Sequence, residues 1–146
     1  MNSNRTTRSW RLRRRPDGII NENDLELVTE EIPEISEGQI LAKTIYFSLD
    51  PTNRIWMSDI DQYMEPVEIG DIMRAGGSLA VVEESKVSHI KAGDIVQGGM
   101  HGGWQEYFII PGEEATAIPM EESIPLKALI SVLVLKGQQH ILVFLI

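Results

Sequence analysis

Three histidines, His89, His101 and His140, are the residues most able to do chemistry in this chain. Imidazole is a common metal ligand, and a catalytic zinc needs three protein ligands converging on one point. These three are widely separated, with no HxxxH or HExxH spacing, and the chain has no cysteine to complete a set. The expectation is no metal site. Glycine clusters are the next candidates, since backbone amides in such loops can cradle phosphate. GGMHGG (98–103) and AGG (75–77) both lack the GxGxxG order and lie between strand-like runs instead of opening a helix. Glycines there are better explained by sharp turns or close backbone approach. Ser48 and Ser58 stand outside any GxSxG elbow. The paired acids Glu30–Glu31, Glu83–Glu84, Glu113–Glu114 and Glu121–Glu122 fall on strands or turns, where neighbours point apart and face water.

One stretch does stand out, FSLDPTNRIWM, which joins a long apolar run to a short helical turn. Asp50, Pro51 and Arg54 sit close together there. Arg54 can pair with Asp50 across one helical turn. Alternatively the corner lines a cleft, with Thr52 and Trp56 or Met57 facing a ligand. The residues alone leave both readings open.

The elements that must position this corner are mostly β. SWRLRR precedes the turn PDG, and DLELVTEEIP alternates Leu25, Leu27 and Ile32 before Pro33. SEGQILAKTIYFSL is the longest run, with Ile40, Ala42, Thr44 and Tyr46 on one face and Leu41, Lys43 and Ile45 on the other. LAVVEES (79–85), GDIVQGG (93–99), GWQEYFIIP (103–111) and ATAIP (115–119) follow. Short strands punctuated by Gly and Pro predict a β-barrel or sandwich. Two stretches read as helix. DPTNRIWMSD (50–59) has Asp50 placed to cap and Pro51 in the first turn, and IPLKALISVL (124–133) spaces Leu126, Leu129, Ile130 and Leu133 helically.

Composition bounds the partners. The 146 residues are 42% hydrophobic and 24% charged, as in globular proteins, and no apolar run is long enough to span a bilayer. The polar start and absent cysteines fit a cytoplasmic protein. Six arginines precede Asp17, leaving seven basic residues against 22 acidic ones. A basic arm can bind nucleic acid, but Trp10 and Leu12 alternate with Arg11 and Arg13 as in a strand with one wet face. The acidic remainder would repel phosphates. Nucleic acid and membrane are therefore not expected partners.

The order RxWxLRRRPDG, the run DLELVTEEIPEISEGQILAKTIYFSLDPTNRIWM, then VEIGDIMRAGG, KAGDIVQG and GWQEY resembles the N-terminal part of a medium-chain dehydrogenase/reductase. The similarity is to the zinc-free, NADP-dependent branch that includes prostaglandin, leukotriene, alkenal and curcumin reductases. It runs from about Asn4 to Gly137; LDPxxR and GWQEY are its specific pieces, whereas KxGDxV belongs to the whole superfamily. It implies a mainly β, GroES-like, partly open barrel over residues 1–123, with residues 124–137 a helical stub entering a Rossmann domain. The cysteine and GHE motifs of zinc-dependent relatives are absent. The implied activity is hydride transfer from NADPH to the β-carbon of an α,β-unsaturated ketone or aldehyde, with enolate charge stabilised by hydrogen bonds. Asp50, Pro51, Thr52 and Arg54, with Met73, Arg74, Gly76 and Gly77, would border the nicotinamide and substrate cleft. Many relatives carry tyrosine where this chain has Thr52, which leaves the substrate open. NADP(H) contacts would belong to the Rossmann half, with none expected to bind this chain tightly.

After Gly137 the family continues Thr-Ala-Tyr-Phe-Gly, whereas this chain reads QQHILVFLI. Spelled CAA CAG CAT ATT TTG GTT and shifted by two bases, the tail becomes ACA GCA TAT TTT GGT, which encodes the family's five residues. The expectation is a frameshift near Gln138, a tail over 138–146 foreign to the family, and a chain inactive alone. The competing expectation is a non-enzymatic GroES-like module that binds or oligomerises, with homodimerisation or association through the tail.

Overall fold

Short runs of apolar, β-branched and charged residues on either side of the PDG turn form the first two strands. The computed structural model describes residues 4–120 without a break, together with 125, 128 and 142–145. β1 (Thr6–Leu12) pairs antiparallel with β2 (Leu25–Glu31), Thr6 opposite Glu31 and Leu12 opposite Leu25. β3 (Gln39–Leu49) is central to the second sheet. It pairs with β4 (Ser78–Ser85) on one side and β6 (Tyr107–Pro111) on the other. β5 (Ile95–Gln97) and β7 (Thr116–Ala117) extend that sheet beyond β4, and β8 (Leu142–Leu145) pairs with the far end of β3. α1 (Thr52–Trp56) follows β3, and α2 (Gly99–Gly102) separates β5 from β6. The fold is mainly β, as expected. The order β6-β3-β4-β5-β7 does not close on itself among the described residues.

Two turns repeat one solution. In VEIGD and KAGD, Gly70 and Gly93 both sit at φ +95°, and the following Asp71 and Asp94 donate N–H to the carbonyls of Glu68 and Lys91, each at 3.0 Å. A positive φ at the third position of a turn is cheap only for glycine, which explains the Gly-Asp pairs.

The main core lies inside the larger sheet, where Ile40, Ala42, Ala80, Val82, Val96, Phe108 and Ile110 pack together with Ile90. A second cluster, Leu12, Trp56, Met57, Val67 and Met73, joins β1 and α1 to the segment before β4. These parts are locked by a ring of three main-chain bonds. Trp10 N–H donates to the Trp104 carbonyl, Trp104 N–H to Met73, and Met73 N–H to Trp10, each at 2.8 Å.

Two expectations about faces are corrected. In β1, Leu12 is fully buried, as its alternation with Arg11 and Arg13 implies, but Trp10 is 41% exposed opposite Leu27 at 46%, and Ser9 is buried instead. The covered side of β1 is fixed by the segments that bond its second edge, through bridges Ser9–Gln105 and Arg11–Ile72, and alternation alone does not identify that side. In β3, register shifts at Leu41/Ala42 and Thr44/Tyr46 break the strict two-face alternation. Tyr46 consequently packs with Leu79 and Ile95, in a cluster separate from Ile40 and Ala42.

Four of the six N-terminal arginines pair closely with acids. Arg5 meets Glu84 at 2.7 Å, Arg8 meets Glu106 at 2.5 Å, and Arg11 and Arg14 meet Glu30 and Asp24 at 2.6 Å. Of the helix expected over 124–133, most lies outside the described residues. Ala128 is helical and bonds the Pro125 carbonyl at 2.8 Å. The tail expected over 138–146 is described only at 142–145, as β8.

Candidate functional site

The Asp-Pro step ends β3 and turns the chain into α1. Pro51 takes the N-cap position at φ −56°, and the Asp50 carboxylate accepts the Thr52 N–H at 2.8 Å. The capping role expected of Asp50 is therefore exercised one residue ahead of the cap. Asn53 closes the turn from the other side, its Oδ1 accepting the Asp50 N–H at 2.8 Å.

The corner and the MRAGG stretch, far apart in sequence, meet here. Asn53 Nδ2 donates to the Arg74 carbonyl at 2.7 Å, and Ser48 N–H donates to the Gly77 carbonyl at 2.8 Å. A Cβ on Gly76 would stand 2.6 Å from Asp50 Oδ2 and 2.9 Å from Ser48 Oγ. The first glycine of the stretch thus keeps the chain leading into β4 against the carboxylate, a contact no side chain would permit.

The eight residues singled out in the sequence divide by what they touch. Asp50, Pro51, Thr52, Gly76 and Gly77 come together at this junction. Met73 is fully buried against Leu12, Trp56 and Met57 and anchors the stretch. Arg74 lies with its guanidinium 5.4 Å from the Trp56 ring centroid and donates to the Glu65 carbonyl at 3.0 Å. Arg54 turns away from Asp50. It donates to the carbonyls of Gly18 at 3.0 Å and Pro16 at 3.1 Å and to Ser58 Oγ at 2.6 Å, tying α1 to the PDG turn. The corner expected to face a ligand with Trp56 or Met57 buries both of them instead.

Sequence reasoning missed Asn53 and Ser48. Asn53 is 4% exposed and makes both clipping bonds; Ser48 is fully buried, its hydroxyl without a partner beside Gly76 and Asp50. An Asn two residues after Asp-Pro was the available signal for Asn53. Nothing local pointed to Ser48.

The glycine loop at 98–103 is filled from within. A Cβ at Gly98 or Gly102 would lie 2.1 or 1.9 Å from Ser78 Oγ, so α2 rests directly on β4. His101 bonds Glu114 at 2.5 Å and His89 reaches the Gly112 carbonyl at 3.2 Å. No group of three potential metal ligands gathers among the described residues. Two carboxylates are held below their ordinary range. Asp24 is lowered by the hydrogen bond from Arg14, helped by the Asn21 N–H, and Glu106 by the hydrogen bond from Arg8, against some desolvation. Both lie outside the corner.

Residues 8–118 match the family described as the N-terminal domain of oxidoreductase. The NADPH-dependent curcumin reductase of Escherichia coli (strain K12) is 39% identical over 107 residues, 73% of this chain and 30% of that protein. Prostaglandin reductase 1 of Mus musculus is 31% identical over 121 residues, 82% of this chain and 34% of that protein. The crystal structure of CurA in complex with NADPH from Vibrio vulnificus superposes with a TM-score of 0.73 at 34% identity, over 84% of this chain and 35% of that one. The chain thus spans about a third of the length of these relatives.

Proposed function

The chain belongs to the N-terminal domain family of the medium-chain oxidoreductases, and on that premise we propose that it forms the substrate-side domain of an NADP-dependent reductase of α,β-unsaturated ketones or aldehydes. Its fold in this reading is a GroES-like, partly open barrel over residues 1–123, with 124–137 leading into a nucleotide-binding domain. The observation that carries the proposal is the junction of the LDP corner with the MRAGG stretch. Asn53 and Ser48 join the LDP corner, one of the family's specific pieces, to the MRAGG stretch where β3 ends and β4 begins.

Residues of this chain would act by placement. Asp50 fixes the corner through the Thr52 amide, Gly76 admits the close approach, and Arg74 holds its guanidinium over Trp56. Together they would shape and partly dehydrate one wall of the cleft, where hydrogen bonds to a developing enolate oxygen are strongest. Thr52 has a shorter reach than the tyrosine common in relatives and would favour a bulkier enone.

The described residues do not by themselves fit NADP(H). The glycine segments a pyrophosphate would need are occupied, Gly98 and Gly102 by Ser78 and Gly76 by Asp50 and Ser48. Hydride delivery is accordingly assigned no residue here, and the chain alone is expected to be inactive. The test is direct. Purified chain is mixed with NADPH and a 2-alkenal, and absorbance at the nicotinamide band is followed. No oxidation is expected, whereas sustained turnover removes the proposal of an incomplete cleft. Fusing the chain to the nucleotide-binding half of the curcumin reductase relative should restore alkenal reduction. A well-folded fusion that binds NADPH yet reduces no enone or enal would overturn the substrate-side assignment.

A further inference from the structure

The central strand of the larger sheet is covered unequally on its two edges. β4 follows β3 from Ile40 to Phe47, but β6 pairs only with Gln39–Lys43. The other edge of Tyr46–Leu49 is taken by β8, with Tyr46 opposite Leu145, Phe47 opposite Phe144, Ser48 opposite Val143 and Leu49 opposite Leu142. Ser48 N–H points to the Gly77 carbonyl on the β4 side. Alternation therefore turns the amides of Phe47 and Leu49 toward β8, and those of Leu142 and Phe144 back toward β3.

Residues 46–48 are buried, so an unfilled edge here would leave main-chain donors and acceptors without partners next to core side chains. What fills it is a four-residue strand with no charge and no proline, the two devices that discourage strand exchange. Twenty-one residues of sequence, 121–141, lie between Met120 and β8, and a chain of that length has an upper reach of roughly 70 Å. Every copy of the chain carries both the acceptor edge and the strand that fits it.

We infer that Tyr46–Leu49 is a strand-acceptor site, filled by Leu142–Leu145 of the same chain in the monomer and by Leu142–Leu145 of a second copy in a strand-exchanged dimer. The contacts are the same in both states, so the balance between them is set by the concentration of the protein. This inference stands apart from the oxidoreductase reading, since it needs neither substrate nor cofactor.

The test is light scattering coupled to sizing on the full chain, from about 10 μM to about 1 mM, with amide exchange measured at Phe47 and Leu49. A dimer that grows with concentration, with both amides protected at every concentration, is expected. Phe144→Pro removes an N–H that faces β3, and should abolish the dimer and speed exchange at Phe47 and Leu49 at least about tenfold. Val143→Pro removes an N–H that faces away and should leave both readouts unchanged. A synthetic peptide of residues 137–146 added to Phe144→Pro should restore the protection, which separates loss of the strand from loss of the fold. A monomer at all concentrations, association that survives Phe144→Pro, or a peptide that restores nothing would each overturn the inference.

Discussion

Asn53 clips Arg74: the side-chain amide of the first donates to the main-chain carbonyl of the second at 2.7 Å, while its Oδ1 accepts the Asp50 N–H at 2.8 Å. One buried side chain thus supplies both a donor and an acceptor between segments separated by most of α1 and the loop before β4. Asn53→Ala should cost about 1–3 kcal/mol, because two main-chain groups lose partners where water cannot replace them. Asn53→Asp keeps the acceptor and loses the donor, so it should also destabilise. Urea melts of both variants check this; an alanine variant as stable as the parent would show that the clip is dispensable.

The contact of α2 with β4 leaves no room for a methyl group. Gly102→Ala places its Cβ 1.9 Å from Ser78 Oγ, and we expect a loss of about 1–3 kcal/mol from overpacking. Ser78→Gly in the same chain should recover part of that loss, since the colliding atoms are gone. A double-mutant cycle by thermal denaturation measures the coupling.

Met73 is wholly buried between Leu12, Trp56 and Met57. Met73→Ala should destabilise by about 2–5 kcal/mol, as truncation of a packed side chain leaves a cavity. Met73→Leu, close in volume, should cost less than about 1.5 kcal/mol. Chemical denaturation of the pair separates a packing role from any need for the thioether.

Acid should unfold the domain partly through Asp24 and Glu106. Both carboxylates are lowered in the folded state, foremost by the hydrogen bonds from Arg14 and Arg8. Their contribution is therefore present above the unfolded values near 4 and is lost as pH falls through that value toward the lower folded one. Asp24→Asn should weaken the protein at pH 7 and its deficit should shrink below about pH 4. Denaturant midpoints at several pH values test the convergence; a deficit independent of pH would assign Asp24 a purely geometric role.

Much of the strand framework was legible because short alternating runs bounded by Gly and Pro leave few other options. The two Gly-Asp turns and the Asp-Pro corner show in sequence what they do in space. In β1, alternation identified Leu12 as buried but neither Trp10 as exposed nor Ser9 as buried, because the segments bonded to its second edge decide which positions are covered. The two faces of β3 were blurred by its register shifts, which a partner strand imposes. At the site, the corner and the MRAGG stretch were visible as motifs, while their union through Asn53 depended on a contact across 21 residues of sequence. Helical spacing allows Arg54 to pair with Asp50, but the PDG turn offers it two carbonyls within reach.

The ring joining Trp10, Met73 and Trp104 contains only main-chain atoms. No side-chain substitution deletes it; only proline at one of the three positions, or a shift of the chain, removes a donor. Drift at these positions can alter what the neighbouring surface presents while the three segments stay in register. The junction beside the candidate cleft is in this sense buffered against mutation, free to change its chemistry without losing its frame.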